Sequence, residues 1–220
     1  MIGPNGAGKT TFFNLLTGLY IPDQGEVLIE GADVTQTAPW RRVKRGLGRS
    51  FQQTSLFWAL SAVDNAVLAE SAVNDVTLRP WGKQPRTIRE KAHGLLDQMG
   101  LGSFAGFNAH ELSHGDQRSL EIATALAVDS RILLLDEPTA GISPAETKTA
   151  VALIKKIARE RNLTVLFVEH DMEVVFGIAD RITVLARGAV LAEGTPAEIR
   201  ANPEVQKAYL GEVEEEEVSA

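Results

Sequence analysis

Eight residues near the start of the chain, Gly3-Pro4-Asn5-Gly6-Ala7-Gly8-Lys9-Thr10, constrain its fold more than any others. They satisfy the pattern G-x-x-x-x-G-K-[ST] at all four fixed positions. Glycines let a backbone curl until successive N–H groups point inward at phosphate oxygens. A helix must follow, because the positive end of its dipole completes the anion site. The pattern therefore demands a strand-to-helix turn, and with it an α/β core. In such a loop Asn5, Gly6 and Gly8 offer backbone amides, and Lys9 bridges the β- and γ-phosphates of a nucleotide. The Thr10 hydroxyl is placed to join Mg²⁺, and Thr11 to reach a phosphate oxygen. The loop alone specifies a nucleoside triphosphate, not what its hydrolysis is used for.

The rest of the chain alternates strand and helix patterns, as a mainly parallel sheet requires. Helices are expected at Thr10 to Leu16, at Thr87 to Met99 and from Ser113 to about Val128. A further helix starts at Ser143-Pro144-Ala145-Glu146, where serine caps, proline takes the first turn and glutamate completes a capping box. Strands are expected at Glu26 to Glu30, closed by the turn Gly31-Ala32-Asp33, and as buried apolar runs at Arg131 to Asp136 and Thr164 to Val168. Ile182 to Ala186 and Ala189 to Glu193 flank Arg187-Gly188 as a hairpin. Trp58 to Gly100 reads as helical, broken at Pro80 and Pro85.

The run Ile132-Leu133-Leu134-Leu135-Asp136-Glu137 supplies the acids that a Mg²⁺-nucleotide site needs. Asp136, at the end of a strand, can hold the metal directly or through water. Glu137 can polarise an attacking water as general base.

Composition narrows the class. The 220 residues carry a net charge of −7 and no cysteine, which excludes disulfides and thiolate metal sites and argues against a nucleic-acid partner. Arg41, Arg42, Lys44, Arg45 and Arg49 form the one basic patch, without the regular aromatic interleaving of a nucleic-acid surface. Glu212 and Glu214 to Glu217 form an acidic tail. No apolar run approaches the ~20 residues needed to span a bilayer. A cytoplasmic protein is expected; if it works at a membrane, it does so through a partner.

Between the phosphate loop and the acidic pair lies Leu112-Ser113-His114-Gly115-Asp116-Gln117-Arg118, which resembles the signature loop of ABC ATPases. Phe51-Gln52 resembles that family's Q-loop. Ala140-Gly141-Ile142-Ser143 occupies the D-loop place after Asp136-Glu137-Pro138-Thr139, and Glu169-His170-Asp171 resembles the switch-histidine region. With the phosphate loop and the acidic pair, these motifs stand in the family's order over nearly the whole chain. The resemblance implies a P-loop NTPase core with a mainly parallel sheet and a helical subdomain at about 58–128, all within one ATPase domain at 1–211. It implies two nucleotide domains, identical or not, paired head to tail around two ATP molecules. Ser113 and the Gly115 backbone would then contact the γ-phosphate held by the opposite subunit. His170 would hydrogen-bond the γ-phosphate and help hold Glu137 and water, and Gln52 would sense Mg²⁺ and connect to integral-membrane permease subunits.

Three departures from the family pattern stand out. His114 and Asp116 replace the usual signature residues, and Ser143 replaces the D-loop aspartate. The chain begins almost inside the phosphate loop, so the antiparallel β-subdomain is incomplete, and further codons upstream of Met1 are expected to encode it. Gly48-Arg49-Ser50-Phe51-Gln52-Gln53, Val168-Glu169-His170-Asp171-Met172 and Leu191-Ala192-Glu193-Gly194-Thr195-Pro196 most resemble the ATPases of branched-chain (hydrophobic) amino-acid importers. Urea and lipopolysaccharide systems carry similar ends. A second reading stays open on the residues alone: a nucleotide-dependent interaction module that does not turn over. Glu137 and His170 argue against it.

Overall fold

The computed structural model describes residues 1–50, 56–73 and 86–208. The helix α1 (Lys9–Thr17) leaves the phosphate loop directly. A two-stranded antiparallel ribbon, β1 (Leu28–Ile29) and β2 (Ala32–Asp33), comes next. The strand expected at Glu26 to Glu30 is thus only two residues long, and Ala32-Asp33 is its return strand rather than part of the turn. Glu30 and Gly31 form that turn with φ of 50° and 76°. Apolar alternation cannot show how far such a ribbon pairs, because pairing depends on the partner strand.

After α2 (Pro39–Val43), β3 (Leu47–Arg49) enters a parallel sheet of order β3-β4-β5. The other two strands are β4 (Ile132–Asp136) and β5 (Thr164–Val168), close to the expected runs. Leu133 and Leu135 pack into one apolar cluster, with Leu120 and Ile157, while Leu134 packs into another, with Phe13 and Leu185. A strand buried on both faces needs an unbroken apolar run, which is why β4 does not alternate.

Ile2 extends the sheet towards the hairpin of β6 (Ile182–Ala186) and β7 (Ala189–Gly194). The Met1 nitrogen donates to the Phe167 carbonyl at 2.6 Å. Ile2 donates to Thr183 and accepts from Leu185, both at 2.9 Å. The segment that enters the phosphate loop is therefore held between β5 and β6. Arg187 and Gly188, with φ of 51° and 78°, close the hairpin as expected.

The helices α3 (Ala62–Val73), α4 (Arg86–Gln98) and α5 (His114–Ala127) pack on one another. The helical stretch expected from Trp58 begins only at Ala62. Pro80 and Pro85 lie outside the described residues. Gly100, with φ of 74°, follows the end of α4. The helix α6 (Pro144–Glu160) opens with the expected box: the Ser143 hydroxyl accepts from Glu146 N–H, and the Glu146 carboxylate accepts from Ser143 N–H at 2.8 Å. Helices α7 (Met172–Ile178) and α8 (Pro196–Ala201) complete the set. Among the described residues no helix is long and apolar enough to cross a membrane.

The basic patch does not survive folding. Arg42 is fully buried. Its Nη1 donates to the Leu15 and Leu16 carbonyls at 2.7 Å each, Nη2 to Thr35 at 2.9 Å and Nε to Thr37 at 3.0 Å. The guanidinium thus caps the C-terminal carbonyls of α1, where the helix dipole favours a cation. Arg49 also points inward, with its side chain 8% exposed. Arg41 and Lys44 remain outside, lying over the Trp40 ring. An ammonium cannot span the four carbonyls that Arg42 reaches. Arg42→Lys is expected to lower unfolding free energy by about 1–3 kcal/mol, read from urea denaturation.

Candidate active site

The phosphate loop stands on glycine at two decisive places. A Cβ on Gly3 would lie 2.2 Å from the Leu185 carbonyl oxygen, so only glycine lets the loop press against β6. Gly8 has φ of 100° at the N-cap of α1, a left-handed conformation that a side chain disfavours. The β6–β7 hairpin braces the loop from outside: Gly188 N–H donates to the Ala7 carbonyl at 3.1 Å. Asn5, Gly6, Thr10 and Thr11 are exposed, whereas Lys9 is buried. The Lys9 ammonium is held over the loop by the Gly3 and Pro4 carbonyls at 2.5 and 3.0 Å.

The parallel register brings the acidic pair and the histidine together. Asp136 at the end of β4 pairs with Val168 of β5, so Glu137 and the residues just after Val168 leave the sheet side by side. The His170 Nε2 lies 3.2 Å from the Glu137 Oε1. Glu137 N–H donates to the Val168 carbonyl at 2.9 Å. The Glu169 carboxylate, buried beneath, accepts from Thr139 N–H at 2.8 Å and from its hydroxyl at 2.6 Å. That bond holds the turn after Glu137.

Asp136 is buried, 3.5 Å from the Arg49 guanidinium. Burial raises its carboxyl above the ordinary aspartate range, and Arg49 opposes the shift without cancelling it. Arg49 also donates to the Asn14 amide oxygen at 2.9 Å. One guanidinium therefore ties α1, the helix of the phosphate loop, to the acidic end of β4. Asp136 and Thr10 offer one carboxylate and one hydroxyl. That suits Mg²⁺, which binds through one or two protein oxygens plus phosphate oxygens rather than in an all-protein cage.

Ser113 and Gly115 stand elsewhere, at the start of α5. Ser113 is the N-cap, and its hydroxyl accepts from Asp116 N–H. A full capping box is not completed there. The Asp116 carboxylate accepts from the Ser113 hydroxyl at 2.7 Å, because an aspartate is too short to reach back to the capping amide. His114 is exposed and lines a cavity of about 250 Å³ with Arg118, Glu137 and Gly141. Gly115 abuts α6: a Cβ there would lie 2.8 Å from Glu146 Oε1. Gln52, with Phe51 and Gln53, lies outside the described residues.

The arrangement can cradle phosphates at the start of one helix and present a carboxylate beside an imidazole. Comparison with known proteins agrees. Residues 1–140 match the sequence pattern of the ABC transporter family, and residues 189–215 match that of the branched-chain amino acid ATP-binding cassette transporter. The chain belongs to the ABC transporter ATP-binding family.

This ABC ATPase is 45% identical over 219 residues to the high-affinity branched-chain amino acid transport ATP-binding protein BraF of Pseudomonas aeruginosa, covering 96% of the chain and 86% of BraF. Its fold is similar to the ADP conformation of MJ1267, an ATP-binding cassette of an ABC transporter, with a TM-score of 0.85, 28% identity and coverage of 96% and 86%. It is also similar to the dimeric bacterial ABC transporter cassette MJ0796, with a TM-score of 0.74, 30% identity and coverage of 89% and 83%. The chain binds and hydrolyses ATP, as members of this family do, and its core is the expected α/β arrangement.

Two residues of the ABC ATPase site, Arg49 and Arg118, lie outside the motif positions that carry its chemistry. In the sequence Arg49 has a place only in a basic run and in the importer-like stretch at residues 48–53. Arg118 lies in the signature loop, yet its guanidinium reaches the end of β4. Neither contact has a sequence signal, because each joins segments more than 15 residues apart.

Proposed function

We propose that this ABC ATPase energises the import of branched-chain amino acids through integral-membrane permease subunits. The observation that carries the catalytic half of this reading is the 3.2 Å approach of His170 to Glu137 at the sheet edge. The cargo half is supported by the match over residues 189–215 and by the similarity to BraF.

The roles follow from chemistry and position. The backbone amides at Asn5, Gly6 and Gly8, together with Lys9 and Thr11, hold the triphosphate. Thr10 and Asp136 hold Mg²⁺, with Gln52 as a further ligand and sensor. The metal, when bound, neutralises charge on the β- and γ-phosphates. Glu137 accepts a proton from the attacking water as the water adds to the γ-phosphorus and ADP leaves. His170 donates to the γ-phosphate and holds Glu137 in line. Ser113 and Gly115 complete the site of a second ABC ATPase subunit, the same chain or a related one, in a head-to-tail pair. The dimeric MJ0796 cassette supports pairing.

The domain reading is one ATPase domain at 1–211 with a helical subdomain at about 58–128 and an acidic tail at 212–220. A groove of about 510 Å³ lined by Leu19, Val43, Phe57, Leu68, Ala72 and Val128 lies between the two parts. A permease segment docking there would hold the ATPase at the cytoplasmic face of the membrane.

The test is ATP turnover and substrate uptake by the chain reconstituted with its permease in liposomes. ATP-dependent uptake of leucine, isoleucine or valine is the expected result. Turnover no higher than that of a Glu137→Gln control would instead support a nucleotide-dependent interaction module. Turnover that drives uptake of another solute only, such as urea, would overturn the cargo.

A further inference from the structure

Arg118 sits on the second turn of α5 and is used up on the end of β4. Its Nη2 donates to the Asp136 and Glu137 carbonyls, each at 2.6 Å, and its Nε to the Pro138 carbonyl at 3.1 Å. Its Nη1 reaches the Glu121 carboxylate at 2.5 Å. The Arg118 side chain is 11% exposed and that of Glu121 is 3% exposed. One guanidinium, paired with the buried Glu121 carboxylate, is thus spent on three consecutive backbone carbonyls.

Those carbonyls bracket the residue that most needs holding. Glu137 has φ of 49°, in the left-handed region that residues with a Cβ enter only when their surroundings hold them there. The Asp136 carbonyl precedes its φ torsion and the Glu137 carbonyl follows its ψ. One guanidinium therefore grips both ends of the strained residue, while Val168 takes its N–H. The direction of the Glu137 carboxylate depends on this backbone.

The same helix begins at Ser113. A helix transmits a displacement as a rigid element, so a shift at its N-terminus reaches Arg118 a little over one turn later. We propose that Arg118 is a positioning residue. It holds Glu137 in its catalytic conformation and passes phosphate binding at Ser113, in one ATP site, to the general base of the other. The inference rests on the roles given above to Glu137 and Ser113.

The test compares wild type, Arg118→Lys, Arg118→Met and Glu137→Gln, each as full chain with its permease. Folding is followed by circular dichroism and melting temperature, ATP affinity by fluorescent-nucleotide titration, and turnover over a range of ATP. Lysine keeps the charge beside Glu121 but cannot fork between two carbonyls. Arg118→Met is expected to lower kcat about 10²-fold and Arg118→Lys about tenfold, with ATP affinity within about twofold of wild type. The Hill coefficient for ATP should fall towards one in both. A folded Arg118→Lys protein with wild-type kcat, or one whose loss lies wholly in ATP affinity, overturns the proposal, and this variant decides if the methionine protein does not fold. A wild-type Hill coefficient in both variants overturns the transmission between sites. If Glu137→Gln turns over like wild type, the reading of the general base falls and the proposal with it. An inactive Glu137→Gln beside a fully active Arg118→Lys overturns the proposal alone.

Discussion

Glu137→Gln should abolish steady-state ATP turnover while leaving ATP binding intact. Glutamine keeps the size of the side chain and one oxygen that can accept a hydrogen bond, so the 3.2 Å contact with His170 can persist. It cannot take a proton from water. General-base catalysis contributes roughly 10²–10⁴-fold, and a loss of that size is expected in kcat. The triphosphate contacts proposed for Lys9 and Thr11 are untouched, so ATP affinity should remain near wild type. With hydrolysis blocked, ATP should also accumulate a closed pair of subunits, visible as a shift in size-exclusion elution. A Glu137→Gln protein with more than a tenth of wild-type kcat would remove Glu137 from the role of base.

Asp136→Ala should cost both activity and the fold. Asp136 and Arg49 form a buried ion pair with side chains 6% and 8% exposed. Burial raises the carboxyl of one and lowers the pKa of the other, so the pair gains less from attraction than each member loses in desolvation. Such a pair adds little net stability, yet removing one member strands the other's charge. A loss of about 3–5 kcal/mol is expected for Asp136→Ala by chemical denaturation. Arg49→Met should be similarly costly, because it also releases Asn14 and with it α1. The double variant should be more stable than the sum of the two losses predicts, by at least about 1 kcal/mol. Strict additivity would show that the two residues do not act as a pair. In activity, Asp136→Ala should abolish Mg²⁺-dependent turnover outright.

Features written in adjacent residues are legible in the sequence. The phosphate loop, the box at Ser143-Pro144-Ala145-Glu146 and the Arg187-Gly188 turn depend on backbone geometry over a few positions, and each forms as its residues require. The strands β4 and β5 were legible because burial on both faces demands an unbroken apolar run. Where the structure departs from the pattern, the length or reach of the pairing partner decided the outcome. The ribbon at β1 is short because its pairing partner is short. The box at Ser113 stays half-formed because Asp116, shorter than the glutamate of a full box, bonds the Ser113 hydroxyl instead.

The sequence by itself determined the chemistry: a phosphate loop at Gly3 to Thr10, an acid pair at Asp136 and Glu137, a histidine at position 170, and their order along the chain. Only the tertiary structure decided how these groups are held. It turned Arg42 and Arg49 from a surface patch into two internal clamps, and it set Arg118 across the carbonyls of a left-handed Glu137. The reason is that a motif records local backbone preference and residue type. The placement of a buried charge depends on which carbonyls and carboxylates surround it, and those arrive from strands and helices that meet only when the chain has packed.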